Sequence, residues 1–470
     1  MSAALVWFRR DLRVADQPAL HAALAHAELV LPVFCLDDRL LHGRHSSGAR
    51  TQFMLESLVE LDAALRAIGS GLLIRHGDPA QELIALARAV GADTVHACVD
   101  AGPFARTRDQ KTQSALAQAG IELRGHAGHF VADEPASIRT ANGDPYTVFT
   151  PFYRNWLKAP RRAVLEAPSM ITPLPDGLSR GALPTLSELG LRQEVRSPAR
   201  GGIQAAALVA QRFLEMPVEG YDTGRDELGE ERASRLSPYL HFGCISPRAL
   251  EAALPDGDGA DAFQRQLCWR DFYAQVLRSF PGNATAEHQQ RYRATISWDD
   301  DEQLFRAWCE GRTGYPLVDA AMRQLIGEGW MHNRARLVAG SFLTKDLGID
   351  WRRGERYFMR MLIDGDEASN NGNWQWIASV GVDPQTLTRR LFNPSRQQQR
   401  FDPEGRYVRR YVPELRSVPT EHLAEPWAMP LQLQWQVGCV IGGDYPAPVV
   451  DHAAERLRTI ERYRRAASKD

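Results

Sequence analysis

Several features that define other classes of protein are missing from this sequence of 470 residues. No stretch reaches the roughly 18 uninterrupted apolar residues of a membrane helix, so we expect no transmembrane segment and no membrane partner. The N-terminus, MSAALVWFRRDLR, has a short apolar run followed by charge, which is the wrong order and length for a signal peptide. The six cysteines are scattered without a CxxC pair or a ligand cluster, which predicts free thiols, no metal and a cytoplasmic location.

The sequence also lacks an excess of charge of one sign. Its net charge of −2 argues against a protein that binds polyanions with its whole surface. Residues 389–416 differ, because they contain eight arginines against three carboxylates, a local balance of +5. These arginines either pair with acids elsewhere on the surface or form a patch that faces phosphate groups.

The third missing feature is a GxGxxG motif after the first predicted strand, so the usual dinucleotide fingerprint is absent. Residues 1–130 nevertheless alternate strand-like runs, such as ALVWF and LVLPVFCL, with amphipathic helical stretches. This alternation predicts an α/β domain with a doubly wound, Rossmann-like parallel sheet.

The rest of the chain has a different character. Residues 131–200 are rich in proline and have little sustained period, so we predict a long connector that crosses the surface. Residues 201–470 follow an almost entirely helical pattern, with Ser246 placed to cap a helix and Pro247 at its first position. The sequence therefore predicts a larger all-helical domain after the connector.

One segment of the helical part, DGDEASNNGNWQW at 364–376, combines hydrogen-bonding side chains with two tryptophans. An isoalloxazine ring is flat and apolar on its faces, with donors and acceptors along its edge. Asp364 or Asp366 can accept from the imide N–H of such a ring, and a carboxamide at Asn370 can both donate and accept. The same residues also suit a capped helix start, which is compatible with a flavin site.

A second segment, RASRLSPYLHFGCISPR at 232–248, supplies serines, an arginine and backbone amides near helix starts. Such a combination can hold a diphosphate, although many helix caps have the same composition.

With these motifs the chain resembles the photolyase/cryptochrome superfamily, and within it the bacterial class I cyclobutane pyrimidine dimer (CPD) photolyases. The resemblance starts at VWFRRDLRVADQPAL and is strongest in GYPLVDAAMRQLIGEGWMHNRAR, DWRRGERYF, LIDGDEASNNGNWQW and RLFNPSRQQQRFDPEGRYVRRYVPEL. It implies an antenna domain over 1–130, a linker over 131–200 and a helical FAD-binding catalytic domain over 201–470. It also implies light-driven repair of UV-damaged DNA by a monomer.

The resemblance further implies roles for single residues. The residues that would hold FAD come from the cradle and from later helical motifs: Tyr221, Ser234, Arg235, Leu236, Ser237, Phe263, Arg270, Trp330, Asn333, Arg336, Asp364, Asp366 and Asn370. The residues that would contact the lesion or the DNA are aromatic, polar or basic: Arg225, Gln266, Trp269, Arg334, Leu337, Trp376 and Arg390. An electron relay would run from Trp374 beside the flavin through Trp351 to Trp298 at the surface.

The chemistry that the family implies is electron transfer. Excited, reduced flavin donates one electron to a flipped-out dimer, the cyclobutane ring splits, and the electron returns. No nucleophile or general base is required. Flipping the lesion costs a few kcal/mol, and stacking on tryptophan offsets about 1–3 kcal/mol per base.

The sequence departs from the CPD photolyase pattern at several positions. Gln266 replaces a glutamate that binds the dimer, Leu337 a methionine, Ala233 a threonine of the cradle, and Phe263 a tryptophan near the flavin. The (6-4) photolyases carry a histidine pair where this chain has Asn333 and Leu337, so we expect cyclobutane dimers as the lesion. PFARTRD lacks the Asn-Glu pair of folate-binding relatives, so the antenna chromophore is a deazaflavin, another flavin or absent.

Two alternatives to repair stay open on the sequence alone. One is a cryptochrome-like blue-light receptor with little or no repair activity, and the other is a flavoprotein that binds DNA without repairing it. Related sensors carry aspartate or cysteine at the position of Asn370 and add a long C-terminal tail. This chain has asparagine at that position and no long tail after its last motif, and both differences favour repair.

Overall fold

A computed structural model describes residues 2–215, 217–383 and 387–468. The N-terminal part contains one sheet of five parallel strands in the order β3-β2-β1-β4-β5. The strands are β1 Ala3–Phe8, β2 Leu29–Leu36, β3 Leu73–His76, β4 Thr94–Cys98 and β5 Glu122–His126. The first two lie on the strand-like runs ALVWF and LVLPVFCL, and the predicted α/β class is confirmed.

Helices cover both faces of this sheet, because each connection between parallel strands crosses over a face. Their bounds are Pro18–His26, Asp38–Leu41, Gly48–Ala67, Pro79–Val90 and Pro103–Gln118. Leu83 and Leu86 pack against one face in a core of its own, whereas Leu20 and Leu58 on the other face belong to a core that continues into the helical part. The sheet and the helical part are therefore joined by a shared apolar core.

The segment 131–200 is mostly irregular, as predicted, but it contains a helix that the proline-rich pattern hides. This helix is Phe149–Trp156, and a 3₁₀ turn lies at Pro135–Ser137. Trp156 is fully buried and its Nε1 donates to Oδ2 of Asp271 at 2.8 Å, which ties the connector to the helical part.

The remainder of the chain is helical, as predicted. Its α-helices are Ile203–Glu215, Tyr221–Gly224, Ser237–Phe242, Pro247–Ala252, Asp258–Ser279, Glu302–Glu310, Pro316–Glu328, Asn333–Ser341, Trp351–Met361, Glu367–Ile377, Pro394–Phe401, Arg406–Tyr411, Thr420–Leu423, Leu431–Gln436 and His452–Ala467. Shorter turns are the π-helix Phe342–Asp346 and the 3₁₀ helices Pro281–Ala284, Gln290–Tyr292, Leu387–Arg390, Pro413–Leu415 and Pro426–Ala428. The predicted cap is present, since Oγ of Ser246 accepts from the amides of Arg248 and Ala249.

Two expectations drawn from missing features can be compared with the structure. All six cysteines are free thiols. Within the described ranges, no helix combines the length and the hydropathy needed to cross a membrane.

Candidate active site

A cavity of about 460 Å³ lies among the helices, and we call it the helical cavity. Most of the residues singled out in the sequence line it: Tyr221, Arg225, Ser234, Arg235, Ser237, Phe263, Gln266, Trp269, Arg270, Trp330, Asn333, Arg334, Arg336, Leu337, Asp364, Asp366 and Trp376. Segments far apart in the chain thus meet around one space that has both apolar and strongly polar walls.

The polar wall begins with Asp366, the N-cap of the helix Glu367–Ile377. One carboxylate oxygen accepts from the amide of Ser369 at 2.9 Å, and the other accepts from Nη1 of Arg10 at 2.9 Å. Burial opposes ionisation of Asp366, but Arg10 and His241 outweigh burial and hold its pKa well below the usual range. Asp366 is therefore a fixed negative charge on the cavity wall, and Arg10, which follows β1, is a neighbour that sequence reasoning missed.

Asp364 adds a second acceptor to this wall. Its Oδ2 accepts from Nη2 of Arg336 at 2.7 Å, while its buried Oδ1 has no hydrogen-bond partner among the described residues. The buried Nη1 of Arg270 likewise lacks a partner there. Because buried polar atoms are normally satisfied, an orphaned acceptor and an orphaned donor beside one cavity indicate a ligand with both kinds of group.

The cradle segment forms another side of the cavity. Arg235 has a left-handed backbone with φ of 52°, pairs with Glu328 at 2.8 Å and covers the ring of Trp330 at 4.4 Å. Nε1 of Trp330 in turn donates to Oγ of Ser237 at 3.1 Å. Leu236 is fully buried and does not line the cavity, so its side chain is a packing residue there.

Two tryptophans give the cavity its aromatic walls. Trp269 stacks on Phe149 with ring centroids 3.7 Å apart and an interplanar angle of 4°, so the unpredicted helix of the connector supports it. Trp376 lies under the guanidinium of Arg390, 4.2 Å from its ring centroid, and donates from Nε1 to Asp383 at 3.1 Å. Both half-buried rings are thus held from behind.

The structure does not support the prediction that Arg390 contacts DNA phosphates. The side chain is only 2% exposed; its Nη1 donates to the carbonyl of Trp376 at 2.8 Å and its Nη2 pairs with Asp383 at 2.8 Å. Burial lowers the pKa of Arg390, and Asp383 opposes that effect. Its role in this arrangement is to hold Trp376.

The basic stretch around Arg390 combines the two alternatives that the sequence left open. Arg406 pairs with Glu404 at 2.7 Å and Arg410 with Glu231 at 3.0 Å, so part of the positive charge is neutralised by acids. Arg396 and Arg400 are exposed and have no ion pair among the described residues. The patch available to an anion is therefore smaller than the sequence count implies.

Asn370 is also placed differently from a simple cavity residue. It is 8% exposed, does not line the helical cavity, and donates from Nδ2 to the carbonyl oxygen of Glu355 at 3.0 Å. Its carboxamide is therefore held by the neighbouring helix Trp351–Met361.

The three tryptophans of the predicted relay do not line the helical cavity. Trp374 and Trp351 are each 1% exposed, and Trp298 is half-buried beside Tyr463, with ring centroids 6.3 Å apart. Gly354 lies directly against Trp374, because a Cβ at Gly354 would be 2.2 Å from the indole. Trp298 is thus the most exposed of the three rings, and the relay itself stays a prediction.

His332 stands at the start of the helix Asn333–Ser341 and its Nδ1 accepts from the amide of Arg334 at 3.2 Å. Burial is the main cause that lowers its pKa to about 4, with Asp226 opposing and nearby arginines adding to the effect. The imidazole is thus neutral at pH 7. Asp226, which also pairs with Arg334 at 2.7 Å, lines the helical cavity too, and sequence reasoning missed it.

A second cavity of about 420 Å³ lies at the carboxyl ends of β1, β2 and β4, and we call it the sheet-edge cavity. The strand order reverses between β1 and β4, which is where open α/β sheets bind ligands. The predicted parallel sheet was a signal for this site, but the strand order could not be read from the sequence. His241 and Asp366 line both cavities, so the two spaces share a wall.

The fold and the helical cavity define a two-part protein, a parallel α/β unit joined to a helical unit with a polar and aromatic pocket. Two family models match it: DNA photolyase over residues 4–173 and the FAD binding domain of DNA photolyase over residues 263–465. The chain belongs to the DNA photolyase family.

Individual relatives agree with this assignment. A deoxyribodipyrimidine photo-lyase of Streptomyces griseus is 42% identical, over 97% of this chain and 98% of its own length. A bacterial class III photolyase structure from Agrobacterium tumefaciens superposes with a TM-score of 0.93 at 34% identity, covering 100% of this chain and 98% of that one. An archaeal photolyase from Sulfolobus tokodaii, described with two FAD molecules that imply a novel light-harvesting cofactor, has a TM-score of 0.84 at 33% identity, covering 99% and 100% of the two chains.

Proposed function

We propose that this chain is a deoxyribodipyrimidine photo-lyase that repairs cyclobutane pyrimidine dimers in DNA with light. The single observation that carries the proposal is the helical cavity, where the acidic wall of Asp364 and Asp366 stands beside two supported tryptophans, Trp269 and Trp376. An acceptor-rich edge suits a flavin, and flat aromatic walls suit flipped-out bases.

The residues of the helical cavity fit FAD. The orphaned Oδ1 of Asp364 would accept an N–H of the flavin edge, and the orphaned Nη1 of Arg270 and the serines at 234 and 237 would face its anionic part. Asn370, held by Glu355, and Tyr221 and Phe263, which pack edge to face, would complete the surroundings. Bound in its reduced state, FAD supplies the electron that opens the cyclobutane ring.

The chain's own residues orient the lesion and exclude water. Trp269 and Trp376 would stack the two pyrimidines, and Leu337 adds an apolar contact in the cavity lining. Gln266, which lines the same space, can donate a hydrogen bond to a pyrimidine carbonyl but cannot lend a proton as a carboxylic acid can. Arg225 and Arg334, both in the lining, are positioned for phosphates.

The geometry favours cyclobutane dimers over (6-4) products. Rearrangement of a (6-4) product needs an acid that gives up a proton, and His332 is a poor acid for this step because burial lowers its pKa to about 4 and leaves the ring neutral at pH 7. Splitting a cyclobutane ring needs only an electron and a hydrogen-bonded carbonyl.

Illumination of the reduced protein with two defined oligonucleotides, one per lesion, tests this choice directly. Chromatography should show restoration of the dimer strand only, and Gln266→Glu should raise the efficiency of that repair because a carboxylic acid can also share its proton. Restoration of the (6-4) strand alone would overturn the lesion assignment, and restoration of neither would move the chain to the blue-light receptor class.

We further propose that Trp374, Trp351 and Trp298 refill oxidised flavin with electrons under blue light. The support is their placement, with two fully buried rings and a third that is half-buried. Time-resolved absorption of tryptophan radicals after blue excitation tests the relay, and their absence would refute it.

A second chromophore is proposed for the sheet-edge cavity. Trp7, Phe34 and Phe104 give it an apolar interior, and Arg44 and Arg50 lie in its wall without a carboxylate closer than 3.9 Å among the described ion pairs. A flat ring system with an anionic tail, such as a flavin or deazaflavin, fits this combination. Denaturing the purified protein and analysing the released chromophores by mass spectrometry should show FAD and a second ligand. Release of FAD alone would refute the proposed second chromophore.

We also propose the domain division, the oligomeric state and the cellular location that the sequence predicts. The division into 1–130, 131–200 and 201–470 follows the change in sequence pattern. A monomeric state and a cytoplasmic location are also expected from the sequence, and light scattering and cell fractionation test them.

A further inference from the structure

The helix of the connector packs against the helix Asp258–Ser279 in two matching layers. In the first layer Trp269, which lines the helical cavity, stacks on Phe149 with ring centroids 3.7 Å apart. In the second layer the guanidinium carbon of Arg265 lies 4.8 Å from the ring centroid of Tyr153. Each residue of the second layer is four positions from its counterpart in the first, so the layers are one helical turn, about 6 Å, apart. A cation is thus fixed directly beside an aromatic wall of the cavity.

Arg265 is an oriented cation that faces solvent. It is exposed and has no ion pair among the described residues, although Asp261 lies one turn earlier on the same helix. Tyr153 covers one face of the planar guanidinium, whereas the five N–H donors of an arginine point outward in that plane. Packing against a ring face therefore leaves the edge of the guanidinium able to bind an anion through two parallel hydrogen bonds.

The connector adds more positive charge on this side of the cavity. Residues 145–165 contain four basic residues and no carboxylate. Two of them, Arg161 and Arg162, form ion pairs with acids of other segments. The other two, Arg154 and Lys158, are exposed and have no ion pair in the ranges that the structure covers. The surface around Arg265 therefore attracts a polyanion rather than a single acidic side chain.

We propose that Arg265, oriented by Tyr153, binds a backbone phosphate of the DNA strand that carries the lesion. This inference rests on the proposed repair function. A base stacked on Trp269 has its sugar and phosphate at the mouth of the helical cavity, and Arg265 stands one helical turn from that ring. A phosphate contact fixes the register of a protein on DNA without reading the sequence. Arg265 thus sets where the strand lies, and Tyr153 is its positioning residue.

The test replaces single phosphates of the strand by uncharged methylphosphonates, one position at a time on each side of the dimer. Binding of these fluorescent duplexes to the FAD-loaded protein is measured in the dark, so that no repair occurs. At one position the unaltered protein should lose affinity about two- to fivefold, the range of an exposed ion pair. Arg265→Ala should be insensitive to the replacement at that position, and its log–log salt slope should be shallower by about 0.9.

Matched variants separate a phosphate contact from a loss of structure or of overall charge. Arg88→Ala removes another exposed arginine without an ion pair among the described residues, on the helix Pro79–Val90 that packs against the sheet, and the methylphosphonate response should not change. Tyr153→Phe keeps the ring face and should respond like the unaltered protein. Tyr153→Leu removes the ring face while Arg265 keeps its charge, so the salt slope should stay and the response at the one position should shrink.

Each outcome decides a different statement. An Arg265→Ala protein that keeps both the salt slope and the sensitive position would refute the phosphate contact. A loss of that sensitivity in Arg88→Ala as well would show a general effect of charge and overturn the inference. Equal responses of Tyr153→Leu and Tyr153→Phe would remove the positioning role of Tyr153. If the unaltered protein did not prefer dimer-containing DNA, the repair proposal would fail, and this inference with it.

Discussion

Replacing Arg390 by alanine should abolish the preference for damaged DNA rather than weaken all DNA binding. Arg390 covers Trp376 at 4.2 Å and fixes both its backbone carbonyl and, through Asp383, its indole N–H. Without the guanidinium, Trp376 loses two of the contacts that hold its ring against the helical cavity. The substitution should therefore act on the proposed lesion pocket and not on contacts with the phosphate backbone.

The structure sets the size of this effect. Stacking of one base on an aromatic ring is worth about 1–3 kcal/mol, so affinity for dimer-containing DNA should fall roughly 5- to 150-fold. A residue that contacts one phosphate would instead reduce the log–log salt slope by about 0.9 for every DNA, and for Arg390 we expect no change in slope. Loss of hydrogen bonds from a buried charged group should also lower the free energy of unfolding by roughly 1.5–3 kcal/mol.

The assay is a titration of a fluorescent oligonucleotide, with and without one dimer, at four salt concentrations. Arg390→Lys separates the two explanations, because lysine keeps the charge for a phosphate but lacks the planar fork that covers and fixes Trp376. Arg400→Ala is the surface control, since this arginine is exposed and should lower both affinities and the slope together. Equal losses on both DNAs with a shallower slope in Arg390→Ala would refute the reasoning.

Three further substitutions have expected results. Trp374→Phe should abolish photoreduction of the flavin, because phenylalanine is far harder to oxidise, and should leave repair by chemically pre-reduced enzyme intact; steady blue illumination followed by absorption spectra measures the first, and normal photoreduction would mean another route. Trp269→Ala should remove most of the preference for dimer-containing DNA, by about 1–3 kcal/mol in a binding titration, and an unchanged preference would contradict the pocket. Burial first, and Asp366 next, raise the pKa of Glu367 from 4.5 to about 7. Between pH 4.5 and about 7 the folded state holds a proton that the unfolded state has released, so the folded state loses stability as pH rises through this range. Glu367→Gln should therefore raise the Tm at about pH 8 and not at about pH 4. Equal changes in Tm at both pH values would refute this.

The parallel sheet could be predicted because its signals are local. The helix Pro79–Val90 is an example, since it has a capping side chain at Asp78, a first-turn proline at Pro79 and a left-handed end at Gly91. The order of the strands could not be predicted, because it depends on which crossovers pack on which face. The sheet-edge cavity follows from that order and was therefore missed.

The helix Phe149–Trp156 was missed for a related reason. It is short, it contains Pro151, and it lies in a proline-rich stretch with no sustained period. What holds it is distant in the chain, namely the contact of Trp156 with Asp271 and the stacking of Phe149 on Trp269. Contacts between residues so far apart leave no periodic trace in either segment.

The residues of the helical cavity could be predicted as a set, whereas their orientations could not. Motifs placed Asp364, Asp366 and Trp376 on the same short segment, and all three line the cavity. A motif does not say which way a neighbouring side chain points, and Arg390 and Leu236 turn out to be buried. Burial is decided by tertiary packing, which is also why Arg10, from the other end of the chain, could not be foreseen beside Asp366.

The wall between the two cavities would let the two proposed chromophores share excitation energy without exchanging electrons. Excitation energy passes through space, whereas an electron needs a close sequence of easily oxidised rings. The side chains common to both cavities are His241 and Asp366, and Arg10 bridges Asp366 to Asp100 at 2.9 Å on each side. None of these is an indole or a phenol, and the three tryptophans of the proposed relay line neither cavity. An antenna in the sheet-edge cavity would therefore deliver energy across a wall of paired charges, while electrons would reach the flavin through the proposed tryptophan relay.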